Sequence, residues 1–299
     1  MTVAVTGGTG FVGREIVGRL IGEGHAVRVV SRGVRRPVPG ADWCRGSVLE
    51  PESLLPAFRG CEAVIHLAGI ISEIGEQTFA RVHAEGTRHV IAACEATGVP
   101  RLVHMSALGT RPEARSRYHQ SKWLGEESVR SSRLLWTMFR PSLIYGPGDG
   151  FVTLFARMAR WSPVIPVLGP GTQHFQPVTV AEVARSFAGA LRHAGSAGST
   201  LDLCGPERLT LNELLRAIAS AVGRPGIQIH LPWRLAFVQA RILEAVFPVV
   251  FRSAPPLNRD QVRMLQEDNI GDPASAWRLF GIEPVRFSDG IRAFLTPGS

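Results

Sequence analysis

Lysine is almost missing from this 299-residue chain: the 33 Lys and Arg residues comprise the single Lys122 and 32 arginines. Tyrosine is nearly as scarce, occurring only as Tyr118 and Tyr145. Cysteine is sparse too. Cys44, Cys61, Cys94 and Cys204 lie far apart, form no C-x-x-C and have no histidine cluster beside them, which argues against a disulfide framework and a zinc site and leaves structural, reduced thiols. No basic run interleaved with aromatics is present. The formal net charge of +8 comes from arginines scattered among acids, so a nucleic-acid surface is not expected.

An uninterrupted membrane-spanning run is also lacking. The most apolar stretch, LPWRLAFVQARILEAVFPVVF (231–251), contains Arg234, Arg241 and Glu244, and Pro248 would break a spanning helix. It reads as a helix that covers the core, or as an amphipathic helix lying on a membrane or a partner. The start, MTVAVTGG, has neither a basic n-region nor a cleavage site, so the expected location is cytoplasmic, with residues 231–251 able to hold the protein at the inner face of a membrane.

What is present is a nucleotide-binding pattern. TVAVT (2–6) is a β-branched run, GGTGFVG follows, and REIVGRLIGEG places Ile16, Val17, Leu20 and Ile21 at helical spacing. Strand, glycine turn and helix in that order let Gly7, Gly10 and Gly13 bring backbone N–H groups against a pyrophosphate. The next strand, HAVRVVSR, ends at Ser31, where a dinucleotide site usually carries an acid for the ribose hydroxyls. Here the chain reads Ser31, Arg32, Gly33, Val34, Arg35, Arg36. Guanidinium groups suit a 2′-phosphate, which favours NADP(H) over NAD(H). AVIHLAG (63–69), RVHAEGTRHVIAACEATG (81–98), RLVHMSA (101–107) and SKWLGEESVRSS continue a strand–helix alternation. The fold class it implies is α/β: a Rossmann-type doubly wound parallel sheet with a smaller C-terminal substrate lobe.

The scarce residues meet in RYHQSKW (117–123). Positions four apart share a helix face, so Tyr118 and Lys122 can address one ligand. A phenol titrates near 10, and an adjacent ammonium would favour its phenolate, making Tyr118 a proton donor or acceptor for a carbonyl or hydroxyl.

With these motifs the sequence resembles the extended short-chain dehydrogenase/reductases. The resemblance rests on TGGTGFVG, LAG (67–69), YHQSK and FRPSLIYGPGD (139–149), and continues through HFQPVTVAEVA and GPERLTLNELLRAI. HMSALGT, the RMARWSPVIPVLGPGTQHFQPV segment and NRDQVRMLQEDN (258–269) look most like the atypical group related to the nucleotide-binding accessory subunit of respiratory complex I. The resemblance implies that Gly7, Gly10, Phe11, Val12 and Gly13 line the pyrophosphate, that Ser31 and Arg32 face the adenosine ribose, and that Leu67, Ala68 and Gly69 approach the cofactor. It further implies Tyr118 as acid/base, Lys122 on the nicotinamide ribose, and Pro141, Ser142 and Leu143 beside the nicotinamide. Three positions depart from the family pattern. Ala107 stands where catalytic members have Ser or Thr, so that Ser106, one residue early, is the remaining candidate hydroxyl. His83 replaces an asparagine, and Ser47 replaces the acid of R-G-D near adenine. The implied functions are an oxidoreductase or epimerase/dehydratase acting on a small-molecule substrate, or a non-catalytic nucleotide-binding protein associated with complex I or another membrane assembly. No metal is implied.

Residues 1–150 are expected to form the nucleotide-binding domain, and 151–299 the rest of the sheet interleaved with the smaller lobe. Thr179 with Glu182 and Thr210 with Glu213 spell capping boxes at helix starts. SPVIPVLGPG (162–171) reads as a loop, either over the cofactor crevice or in solvent. His174 reads as a packed or surface histidine rather than a catalytic base.

Overall fold

The computed structural model describes residues 1–33 and 38–295, so Val34, Arg35 and Arg36 lie outside the described residues. The chain opens with β1 (Thr2–Thr6), α1 (Phe11–Gly22), β2 (Ala26–Ser31), β3 (Asp42–Arg45), α2 (Leu54–Phe58) and β4 (Ala63–His66). A widely wound turn, Ala80–Glu85, leads into α3 (Gly86–Thr97), followed by β5 (Arg101–Met105), α4 (Arg117–Arg130) and β6 (Leu135–Pro141). Next come β7 (Ile144–Tyr145), α5 (Val152–Trp161), β8 (Val164–Leu168), β9 (His174–Phe175), β10 (Val178–Thr179), α6 (Val180–Arg192) and β11 (Ser199–Leu203). The chain closes with β12 (Leu209–Thr210), α7 (Leu211–Ala221), β13 (Ile227–Leu231), α8 (Trp233–Val246), α9 (Arg259–Met264), α10 (Ala274–Phe280) and α11 (Phe287–Leu295).

Two compact units result. The first holds Met1–Pro141, Val180–Leu203 and Pro273–Ile282; the second holds Ser142–Thr179, Cys204–Asp272 and Glu283–Ser299. In the first, seven strands in the order β11-β6-β5-β4-β1-β2-β3 pair in parallel throughout. The sequence alternation is a consequence: parallel neighbours need crossover helices, and both sheet faces are then covered. Alternate residues divide between the faces. Ala4, Val64, Leu102 and Met138 join Phe58, Val90, Ile91 and Val129 in one core cluster, whereas Phe139 of β6 stacks on Phe187 of α6 at 4.7 Å on the other side. Strand order reverses at β1, between β2 and β4, which is where a crevice opens at the strand ends of such a sheet.

The second unit has its own core, in which Tyr145, Ile165, Val167, Leu214, Leu215, Ile218 and Phe287 are buried. Its Thr210–Glu213 capping box is complete: the Glu213 N–H donates to Thr210 Oγ1 at 3.2 Å and the Thr210 N–H donates to Glu213 Oε2 at 2.7 Å. The reading of 162–171 as a loop is corrected here. Val164–Leu168 is strand β8, paired in parallel with β13. Proline is tolerated in it because β13 is its one sheet neighbour, leaving the edge on the other side with no ladder bond for Pro166 to break. Residues 233–246 of the apolar stretch form α8, and among the described residues no helix is long and apolar enough to cross a membrane.

Candidate active site

The first unit contains a cavity of about 670 Å³ at the carboxyl ends of β1, β2, β4 and β5. Its floor is the turn after β1. The Gly10 N–H donates to Gly7 O at 3.1 Å, and Gly7 sits at φ +75°, a conformation that favours glycine. A side chain at Gly7 would place Cβ 2.8 Å from the Ala68 nitrogen, and one at Gly13 would place Cβ 2.3 Å from Gly7 O. These contacts bring α1 onto the turn. The α1 N-cap, Gly10, offers no side-chain cap, so the first-turn N–H groups and the positive end of the helix dipole are left for an anion. A backbone cradle that any Cβ would fill fits the pyrophosphate of a dinucleotide.

Most of the residues singled out in the sequence line this one cavity: Gly7, Gly10, Phe11, Val12, Gly13, Ser31, Arg32, Leu67, Ala68, Gly69, Tyr118 and Lys122. Ser47 lines it as well. Ser106 and Pro141 do not. The Ser106 hydroxyl is buried and donates to Thr110 Oγ1 at 3.4 Å. Ser142 and Leu143 belong to the second unit, where the Ser142 hydroxyl donates to Asn269 Oδ1 at 2.6 Å. His174 is exposed, with its backbone N–H on Asp268. Among the described residues no carboxylate lines the cavity, whereas Arg32 and Lys122 do.

Helix α4 supplies the tyrosine and the lysine. Its N-cap is Ser116, whose Oγ accepts the His119 N–H at 3.2 Å. Lys122 is buried and donates from Nζ to Met105 O at 3.0 Å, tying α4 to the end of β5. Burial pushes the Lys122 ammonium down to about 8, with Glu126 one turn on opposing the shift. Tyr118 is half-buried, with Phe79, His83 and His119 meeting its ring edge-on at 5.9, 5.2 and 5.2 Å. The expectation of a phenol lowered by the ammonium is not met. Burial pushes the Tyr118 hydroxyl up to about 12, because loss of water penalises the phenolate.

His83 has a defined role in this arrangement. Its Nε2 accepts the Ile70 N–H at 3.0 Å, which places the ring proton on Nδ1; Nδ1 then donates to Ser121 Oγ at 2.8 Å, and Ser121 donates to Tyr118 O at 2.7 Å. The loop after β4 is thereby fastened to α4. Behind it lies a second chain. Thr87 donates to His83 O at 2.6 Å, so its oxygen accepts from His66 Nε2 at 3.1 Å, and Thr6 donates to His66 Nδ1 at 2.7 Å. His104 stacks 5.1 Å from His66, with neither ring nitrogen hydrogen-bonded. Burial, reinforced by Lys122, pushes His66 down to about 3 and His83 to about 2; His104 is lowered as well, by burial first and then by its neighbours His66, Lys122 and His83. All three imidazoles are neutral. Sequence reading missed Thr6, His66, Thr87, His104 and Ser121, since no local pattern marks partners 60 residues apart. Ser121, directly before Lys122 in YHQSK, was the one adjacent signal.

Fold and site together define an α/β protein whose glycine turn forms the kind of cavity that holds a dinucleotide. The chain belongs to the NAD dependent epimerase/dehydratase family, which matches residues 3–204. It is similar to the 2-alkyl-3-oxoalkanoate reductase of Stenotrophomonas maltophilia, at 28% identity over 98% of each chain. It is 32% identical to the ceramide reductase of Caulobacter vibrioides, over 77% of this chain and 73% of that protein. A third relative is the mitochondrial NADH dehydrogenase [ubiquinone] 1 alpha subcomplex subunit 9 of Arabidopsis thaliana, 26% identical over 90% of this chain and 71% of that one. The fold matches that of the Thermotoga maritima UDP-glucose 4-epimerase, with a TM-score of 0.77, 21% identity and coverage of 99% of this chain and 97% of the other.

Proposed function

We propose that this protein is an NADP(H)-dependent reductase of a ketone on an aliphatic, acyl-chain substrate, with Tyr118 as proton donor. One observation carries the reading: Tyr118, Lys122 and Arg32 line the same cavity as the glycine cradle, and no carboxylate is present among its described lining residues to select an unphosphorylated ribose. The two reductase relatives support the substrate class.

The nicotinamide, when bound, supplies a hydride to the carbonyl carbon. Tyr118, protonated at neutral pH by its raised pKa, gives its hydroxyl proton to the carbonyl oxygen as negative charge develops there. Lys122 spends one N–H on Met105 O and keeps two for ribose hydroxyls. With a pKa of about 8 it is mainly charged at pH 7, so it stabilises the phenolate left behind. His83 holds the loop that shapes this end of the cavity.

The test is NADPH consumption with a 2-alkyl-3-oxoalkanoate as probe. Wild type is expected to turn over, and Tyr118→Phe to lose about 100-fold or more in kcat while binding NADPH within about twofold of wild type. Equal turnover by the variant sinks the assignment. A second reading, a nucleotide-binding accessory protein, draws on Ala107, which stands where the family resemblance calls for a Ser or Thr hydroxyl, and on the similarity to the complex I subunit. That reading gains if wild type binds NADPH but consumes none.

A further inference from the structure

In the second unit one face of α8 is apolar and exposed. Leu235, Val238, Ile242 and Val246 follow one another at spacings of three, four and four residues, so they form a single row along α8, and each is 40–57% exposed. Ala236 and Ala240, on the opposite side, are fully buried and pack with Leu168, Trp233, Phe237 and Val262. The helix therefore already has its core face, and the exposed row is a second apolar face. It continues past the helix into Val249, Val250 and Phe251, which are 60–78% exposed. Isolated apolar side chains on a surface are ordinary; a row of four followed at once by three more exposed apolar residues marks a site of association.

Charge selects the partner. Arg234 and Arg241, seven residues apart on one flank of the row, are exposed, and Arg252 is exposed at its end. The one carboxylate of the helix, Glu244, is taken up by Arg259, whose backbone N–H and Nε reach it at 2.8 and 2.6 Å. A second copy of this chain would bring the same arginine-flanked face with no free carboxylate from the helix to meet it. A layer of anionic headgroups over acyl chains supplies both what the arginines and what the apolar row lack. At about 1.5 Å per residue the 14-residue helix is roughly 21 Å long, which suits lying in the interface plane. We infer that the α8 to Phe251 face is a peripheral membrane-binding surface selective for anionic phospholipid.

Co-sedimentation of the full-length protein with phosphatidylcholine–phosphatidylglycerol vesicles, against phosphatidylcholine alone, tests this. Wild type is expected to bind the anionic vesicles and to be released by salt. Arg234→Gln with Arg241→Gln should weaken partitioning about twenty-five-fold, roughly fivefold per arginine. Val238→Asp with Ile242→Asp, both at exposed positions, should abolish it while NADPH binding persists as the check on folding. Unchanged binding by either double variant overturns the inference. So does wild type that stays in the supernatant, including the case in which it dimerises through this face and the aspartate variant is monomeric.

Discussion

Arg32 and His83 show how much one residue decides here. Arg32 follows β2 directly and lines the cavity, near where a dinucleotide site selective for NAD presents a carboxylate. Charge reversal therefore has a direction. Arg32→Glu is expected to weaken NADPH about tenfold or more, the size of a lost charge-assisted hydrogen bond, and to leave NADH within about threefold. Fluorescence titration of both nucleotides reads this, and equal weakening contradicts a 2′-phosphate role. Tyr118 and Lys122 were legible from sequence because one lysine in 299 residues falls four places after one of two tyrosines. His83 was legible only as a departure. That it substitutes a ring accepting from Ile70 N–H and donating to Ser121 for the family's asparagine depends on α4 lying against the Ala80–Glu85 turn, a tertiary fact.

At the scale of elements, β4 ends at His66 and β5 sets His104 opposite it, one residue before its own end. His66 and His104 are register neighbours, both buried and both neutral, with His83 beside them. Their ordinary value is 6.5, and in the fold His66 and His83 fall to about 3 and about 2. The unfolded chain thus binds more protons than the native one as pH falls below 6.5, so stability is full above that value and declines with acidification toward the native values. Each such histidine contributes a slope of up to about 1.4 kcal/mol per pH unit. His104→Leu removes a side chain with no hydrogen bond to lose, and denaturant titrations between pH 6.5 and about 5 should show a slope smaller by one proton. An unchanged slope would mean that His104 is protonated in the native state. The strands themselves were legible as β-branched runs, and the helices as 3.6-residue periodicity. Strand β8 was not, because Pro163, Pro166 and Gly169 carry the local signal of a loop, and the pairing that overrides them comes from β13, some 60 residues later in the chain. Strand β3, the short and mostly exposed edge DWCR, has no apolar alternation to detect.

For the whole molecule, the seven-stranded parallel sheet and its glycine turn follow from a pattern spread over the first half of the chain, and membership of the epimerase/dehydratase family agrees with it. Many of the arginines behind the +8 charge are spent locally. Arg140 and Arg130 both hold the fully buried Glu126, and Arg101 donates to Leu135 O, Thr137 and Ala190 O. One scaffold of this kind carries many chemistries, so the reaction is read from the site. The most direct measurement is isotope transfer. The protein is incubated with NADPH deuterated at the nicotinamide C4 and a 2-alkyl-3-oxoalkanoate, and the product is weighed by mass spectrometry. With deuterium at both C4 positions, the expected result is a hydroxy product one mass unit heavier than that from unlabelled NADPH, deuterium standing in place of one hydrogen, formed by wild type and absent with Tyr118→Phe. Stoichiometric NADPH binding with no label transferred by wild type would contradict reductase function.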